Sequence, residues 1–334
     1  MQDKQIDIMV PVARKDLDML EPGLKRAVKY ITNNIRHIYV VWQGPENEND
    51  PDPIIKFEGS IRPKVIFVDE RTYDFSLQQV KEVLVDHGSS HNHGNWYFQQ
   101  LLKMTCFRNI PGILPRVLIH DCDIAFNAPI NFLDEEGRGV LSIGYPFRWV
   151  ENVTSFDEYG PLESIKHSHI DMGRRLLPGW DIADPFSGMH HHQLIEQELM
   201  ESLLRDAEQK HDLPFWEAFL RNVDPVRWNG ACEYVLYYHY VQGKFPDRVK
   251  LRHISGVDLI HDANEPLDDS FDLIADHNND IPVLGRHGFT SLKIRLQTMD
   301  YIPPKLREKF LDPSVERMVF RLELKNGILR VDPC

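Results

Sequence analysis

Short apolar runs and amphipathic stretches alternate along the first 130 residues of the chain. The apolar runs predict strands, and apolar residues at helical spacing predict helices, the first with a break at Pro22-Gly23. The predicted strands are 6–12, 37–42, 64–70 and the run that starts at 117, and the predicted helices are 13–31 and 96–107. This order favours an α/β fold with a mostly parallel sheet and right-handed crossovers.

The second half of the chain is less regular. We expect a strand at 140–147, a turn followed by a long amphipathic helix within 185–209, and helices at 215–223 and 228–245. A strand-like stretch at 249–262 follows, and Asn326-Gly327 is a good turn pair for a hairpin within 317–332. No linker clearly divides the chain, so we expect one compact unit.

Composition excludes some classes of protein. With 42% hydrophobic residues, the chain has enough apolar material for a sizeable core. Lys and Arg number 38 against 51 Asp and Glu, which gives a net charge of -13. An acidic protein repels phosphate backbones, so we expect no nucleic-acid partner.

The four cysteines form no C-x-x-C pair and indicate free thiols in a reducing compartment. The sequence MQDKQIDIMVPVARKD has no apolar core of signal-peptide length, and no apolar run approaches the length of a transmembrane segment. These features favour a cytoplasmic location.

Two acids, Asp121 and Asp123, directly follow the apolar run 117–119. In an extended segment, residues i and i+2 point to the same side, so the pair would jointly coordinate Mn²⁺ or Mg²⁺. The alternative is a solvated strand end, because D-x-D is common by chance. The position favours the metal, since ligands of open α/β sheets bind at the carboxyl ends of strands.

The order of several loose motifs is more informative than any one of them. They are Trp96, Gln99, Gln100 and Lys103 in W-x-x-Q-Q-x-x-K, then the D-x-D, then Ser187 and His190, and finally Trp228, Glu233 and Tyr234. In this order they resemble nucleotide-sugar glycosyltransferases of the GT-A fold. More narrowly, they resemble a group of bacterial and viral glycosyltransferases that share the Q-Q-x-x-K helix before the D-x-D. The resemblance covers roughly residues 5–262.

The resemblance implies a Rossmann-like GT-A domain over 1–262. Residues up to about 130 would form the nucleotide-sugar half and 131–262 the acceptor half, with 263–334 as a C-terminal extension on the acceptor side. Pro11, Val12 and Ala13 would approach the nucleotide base and ribose. Asp121 would bind the ribose or sugar.

The resemblance also implies a metal site and a donor. The ligands would be Asp121, Asp123 and a C-terminal histidine, with His261 in the expected place and His253 as the alternative. The donor would be a nucleotide-diphosphate sugar, with UDP or GDP favoured, and the acceptor a saccharide. A surface-loop histidine is an equally good interpretation of His261.

Three further residues have assigned roles. Glu233 would accept the acceptor proton in an inverting enzyme, although an acid at a helix start also complements the helix dipole. Lys103 would reach a donor phosphate or sugar hydroxyl, unless it is a solvated helix-end lysine. Among three consecutive histidines, His190 is the one that we expect to contact the donor. The sequence does not decide between an inverting and a retaining transfer.

Other functions compete less well. A sugar nucleotidyltransferase needs a Gly-rich basic loop after the first strand, and a dehydrogenase needs G-x-G-x-x-G; neither is present. A metal-dependent phosphohydrolase usually carries its first Asp after an N-terminal strand. A nucleotide-sugar or carbohydrate-binding module that has lost catalysis remains the non-enzymatic alternative.

Overall fold

The computed structural model describes residues 4–44, 53, 55, 63–126, 129–143, 147, 162–227, 229–252, 256–260, 283–287, 319–325 and 328–333. Within these ranges the chain is α/β, with a mostly parallel central sheet flanked by helices. This is compatible with the Rossmann-like class that the sequence predicts.

The central sheet has five strands in the order β3-β2-β1-β4-β7. The first four are parallel to their neighbours, and β7 is antiparallel to β4. Their bounds are β1 (Gln5–Pro11), β2 (Asn34–Trp42), β3 (Lys64–Asp69), β4 (Arg116–His120) and β7 (His192–Glu196).

Eight α-helices accompany the strands in the described part of the chain. They are α1 (Leu17–Tyr30), α2 (Leu77–Asp86), α3 (Gly94–Met104), α4 (Cys106–Asn109), α5 (Ser168–Leu176), α6 (Gln197–His211), α7 (Phe215–Asn222) and α8 (Glu233–Lys244). The start of α2 is a capping box: the Ser76 hydroxyl accepts the Gln79 amide, and the Gln79 side chain accepts the Ser76 amide.

Successive residues of the central strands bury their side chains on opposite faces of the sheet, as the pleat requires. Ile8 and Leu118 pack with α1 on one face. Met9 and Ile119 pack on the other face, in the larger core that includes α2, α3 and α5 to α8. Both faces are therefore covered, which is why the strands read as nearly continuous apolar runs.

Two further sheets complete the described structure. A two-stranded sheet pairs β6 (Gly139–Ser142) in parallel with β8 (Val249–Arg252). A five-stranded sheet has the order β12-β11-β9-β10-β5. Its bounds are β5 (Ile124–Phe126), β9 (Gly256–Ile260), β10 (Val283–His287), β11 (Val319–Lys325) and β12 (Ile328–Pro333).

This second sheet joins the C-terminal region to the strand just after the D-x-D, because β10 pairs antiparallel with β5. The predicted C-terminal hairpin is confirmed: β11 and β12 pair antiparallel, with Lys325 opposite Ile328. Asn326 and Gly327, the predicted turn pair, lie outside the described residues.

Two predicted elements were wrong. The helix expected at 13–31 is a 3-10 turn at Arg14–Asp16 followed by α1, which continues through Pro22 without a break. The stretch before α6 is the buried strand β7, where a turn was expected, because its pairing with β4 supplies a ladder that the local pattern does not reveal.

Candidate functional site

The site lies where the direction of chain winding across the central sheet reverses. From β1 the chain adds β2 and β3 on one side, and then β4 on the other side of β1. In open α/β sheets the crevice outside the carboxyl ends of the strands at such a switch point is the usual ligand site. Here β1 ends at Pro11 and β4 ends at His120, so the D-x-D follows directly at this edge.

The three residues expected near the nucleotide lie at this edge as well. Pro11 and Val12 are buried and Ala13 is exposed. The Val12 amide donates to the Val41 carbonyl at 2.9 Å, which ties the end of β1 to β2. Arg14 adds a positive charge beside them, and its Nη2 donates to the Gly44 carbonyl at 2.6 Å. Arg14 is not among the residues that the sequence motifs indicate.

The D-x-D itself is a turn. The Asp121 carbonyl accepts the Ile124 amide at 3.2 Å, and residues 122 and 123 form the turn between β4 and β5. The expected extended geometry, with both carboxylates on one side, is therefore wrong for this segment. The turn carries the chain from β4 in the central sheet to β5 in the second sheet.

Asp121 belongs to a buried ionic cluster. The Lys103 ammonium donates to Asp121 Oδ1, to Glu233 Oε1 at 2.6 Å and to the Tyr234 hydroxyl at 3.2 Å. It also lies 4.7 Å from the centre of the Tyr234 ring. The Lys103 side chain is 2% exposed, so one buried cation joins two carboxylates from distant parts of the chain.

The charges of this cluster sustain one another. Burial opposes the charge of Lys103, but Asp121 and Glu233 raise the pKa of the ammonium well above its usual value. Burial likewise opposes ionisation of Asp121, but Lys103 and His191 hold the pKa of that carboxyl far below its usual range. Lys103 is therefore an ammonium and Asp121 a carboxylate throughout the physiological range.

His191 contacts Asp121 twice. Its Nδ1 lies 3.0 Å from Asp121 Oδ2, and its carbonyl accepts the Asp121 amide at 3.0 Å. Because an ionised carboxylate only accepts, Nδ1 carries the hydrogen. His191 has a φ of 55°, an unusual conformation for a residue other than glycine. The run of three consecutive histidines gives no sign in the sequence that His191 is the one that contacts Asp121.

His190, the histidine chosen from the sequence, has a different environment. It is 6% exposed, and its Nε2 lies 3.0 Å from the Ile143 carbonyl. Its own carbonyl is 2.8 Å from His192 Nδ1. These contacts join the segment before β7 to the end of β6, while the histidine that reaches the D-x-D is the next one along.

Glu233 is the first residue of α8 and is 7% exposed. Its Oε1 is bound to Lys103, and its Oε2 has no hydrogen-bond partner among the described residues. Glu233 and Asp121 thus share the same ammonium although they are far apart in sequence. One Glu233 oxygen is therefore fixed by Lys103.

The described residues of the site fit a metal ion in an arrangement that includes substrate phosphates and water. Both Asp121 oxygens are already engaged, by Lys103 and His191, so Asp121 does not fit as a direct ligand. Among the described residues, no group of three or more His, Cys, Asp or Glu side chains is placed to hold an ion. Mg²⁺ is often bound by one or two carboxylates together with substrate phosphates and water, and Asp123 fits that arrangement.

The Cys122 side chain in this turn lies near several charged groups. Burial raises the pKa of its thiol well above the usual value, the negative charges of Asp123, Asp16 and Asp121 raise it further, and the charge of Lys103 acts against them. Three carboxylates therefore act on one side chain at the switch point. His261, His253 and Trp228 lie outside the described residues.

The chain matches no known protein-family model and no curated protein sequence. Within the described ranges, no helix combines the length and apolar character needed to cross a membrane.

Proposed function

We propose that this protein is a GT-A-type glycosyltransferase that moves a sugar from a nucleotide-diphosphate donor, with UDP or GDP favoured, to a saccharide hydroxyl. The observation that supports it is the position of the D-x-D. It follows β4 at the switch point beside the end of β1, where α/β sheets bind nucleotides. The order of the sequence motifs, which resembles that of GT-A glycosyltransferases, supports the proposed reaction class.

The donor would lie along the edge formed by Pro11, Val12 and Ala13, with its diphosphate towards the turn at Asp123. Asp123 would hold Mn²⁺ or Mg²⁺ together with the diphosphate, and the ion would neutralise the leaving group. His261 remains the proposed additional ligand from the C-terminal region. His190 and Lys103 have contacts inside the protein, so we do not assign either to the donor.

Glu233 would serve the acceptor. In an inverting transfer, the acceptor oxygen forms the new bond to the sugar carbon as the bond to the diphosphate breaks. The electron pair leaves with the diphosphate, and Glu233 Oε2 accepts the proton of the acceptor hydroxyl. What supports this role is a carboxylate with one oxygen fixed by Lys103 and the other without a partner among the described residues.

The test is metal-dependent release of UDP or GDP from UDP- and GDP-linked hexoses, with water or added saccharides as acceptor. Replacing Asp123 with Asn should abolish the metal-dependent part of the release and of UDP or GDP binding measured by calorimetry. Asp212→Asn, at the left-handed end of α6, is the control. Full metal-dependent binding and turnover in Asp123→Asn would contradict the proposal.

A further inference from the structure

One face of α3 binds the segment that leads into α8. Tyr97, Gln100 and Lys103 are three residues apart, so they follow one another along the same side of the helix. The Tyr97 hydroxyl accepts the Gly230 amide at 2.9 Å and donates to the Arg227 carbonyl at 3.2 Å. Gln100 Nε2 donates to the Ala231 carbonyl at 3.2 Å. Two turns of helix thus fix the backbone just before Glu233.

Lys103 completes this face and extends it to the other side of the crevice. An ammonium has three hydrogens to donate, and Lys103 has three acceptors: Asp121, Glu233 and the Tyr234 hydroxyl. The Tyr234 hydroxyl in turn lies 3.3 Å from Asp121 Oδ1. No donor of Lys103 is left for a phosphate or a sugar hydroxyl.

We propose that Lys103 is a positioning residue that fixes Glu233 relative to Asp121 and the switch-point edge, and that it does not contact the sugar donor. The role assigned to Glu233 rests on the proposed function. The geometry of the cluster does not: a single buried ammonium sets the spacing of two carboxylates on α8 and at the end of β4.

A donor ligand and a positioning residue give different kinetics. Lys103→Met should leave the calorimetric Kd for UDP or GDP with Mn²⁺ within about threefold, because the ligand loses no direct contact. It should lower kcat for nucleotide release by about 100-fold or more, which is the usual worth of a placed general base. The KM for the donor should change little.

Lys244→Met is a matched control. Lys244 also binds a carboxylate and a tyrosine hydroxyl, Asp206 at 2.6 Å and Tyr240 at 3.0 Å, and it lies 5.2 Å from the Tyr240 ring. Its cluster is on the exposed part of α8, away from the D-x-D. The control should keep both kcat and KM of the unmodified protein.

A second measurement needs no substrate. Lys103→Met leaves buried carboxylates without their cation, so it should lower the melting temperature strongly. Adding Asp121→Asn to it should recover part of that loss, because the two residues are coupled and their effects do not add. Asp121→Asn with Lys244→Met should show simple additivity.

The outcomes separate the two claims. A Lys103→Met variant that loses at least tenfold in UDP or GDP affinity, with the turnover loss confined to KM, would make Lys103 a donor ligand and overturn the inference. Unchanged kcat would overturn it as well. If the unmodified protein neither binds UDP or GDP nor releases either from the linked hexoses, the proposed function fails. The melting experiment then tests the role of Lys103 by itself. Additive losses in melting temperature would overturn the inference, and partial recovery in the double variant would support the coupling of Lys103 and Asp121.

Discussion

Acidification should destabilise this protein well above the pH at which ordinary carboxylates are protonated, because several buried histidines are held neutral. His169 and His239 are the clearest, with 5% and 1% exposure. Burial lowers the pKa of each to about 3. His169 Nδ1 is buried and has no hydrogen-bond partner among the described residues.

The direction in which stability changes with pH follows from proton binding in the folded and unfolded states. In the unfolded chain a histidine has a pKa near 6.5, so below that pH the unfolded state binds a proton that the native state refuses. Stability is full above about pH 6.5 and is lost as the pH falls towards 3. From pH 7.5 to pH 5.0, each histidine should remove about 2 kcal/mol, so the pair removes about 4 kcal/mol. That is a large part of the stability of about 5–15 kcal/mol that is usual for a folded protein.

Two other groups with shifted pKa values also determine how stability depends on pH. The depressed pKa of Asp121 stabilises the fold above about pH 4, so its contribution is still present at pH 5.0. Glu70 acts in the opposite direction: burial raises its pKa to about 7, so protonation of this half-buried group offsets part of the loss. The effect of one histidine is therefore best measured as the difference between two variants in the stability lost on acidification.

The assay is urea unfolding at pH 7.5 and pH 5.0 of the unmodified protein and of His239→Gln. The glutamine amide keeps an acceptor for the Ala183 amide, which now donates to His239 Nδ1 at 3.1 Å. The variant should lose about 2 kcal/mol less than the unmodified protein on acidification. An identical loss in both proteins would mean that His239 is protonated in the native state, and the reasoning would fail.

Two predictions concern residues with positive φ, both measured by urea unfolding at neutral pH. Gly188→Ala should lower the free energy of unfolding by about 3 kcal/mol, because the new Cβ would lie 2.2 Å from Tyr238 Cγ at a φ of 67°. Gly179 has a similar φ of 66° but no described atom within 4 Å of the new Cβ, so Gly179→Ala should lower it by about 1 kcal/mol. Equal losses would show that crowding by Tyr238 is unimportant. His191→Gly should be about 1 kcal/mol more stable than His191→Ala, because both variants lose the side-chain contact to Asp121 and only glycine is relieved of the φ of 55°. An alanine variant as stable as the glycine variant would mean that the backbone relaxes.

The strands around the switch point were predictable because they are buried on both faces. The resulting apolar runs, such as 117–119, stand out in the sequence and lead directly to the acids that follow. β7 was not predictable in the same way. Its sequence, HQLIE, begins and ends with polar residues, and its strand state comes from pairing with β4 rather than from a local pattern.

The position of the D-x-D at the end of a parallel strand was predictable, but the contacts of the residues around it were not. A lysine usually lies in solvent, and only the spacing of Tyr97, Gln100 and Lys103 along α3 signals a shared face. The carboxylate partners of Lys103 come from two other parts of the chain, so no local pattern indicates them. Likewise, the turn at the D-x-D depends on β5 pairing with β10, a contact across more than 150 residues.

The most direct test of the account is a thermal-shift panel of UDP-, GDP-, CMP- and dTDP-linked sugars, each with and without Mn²⁺. A ligand that binds only the folded state at 100 times its Kd stabilises it by about 2.7 kcal/mol, which is readily measured. We expect stabilisation by UDP- or GDP-linked sugars that requires Mn²⁺ and disappears in Asp123→Asn. No shift with any of these ligands, or a shift that Asp123→Asn retains, would contradict donor binding at the switch point.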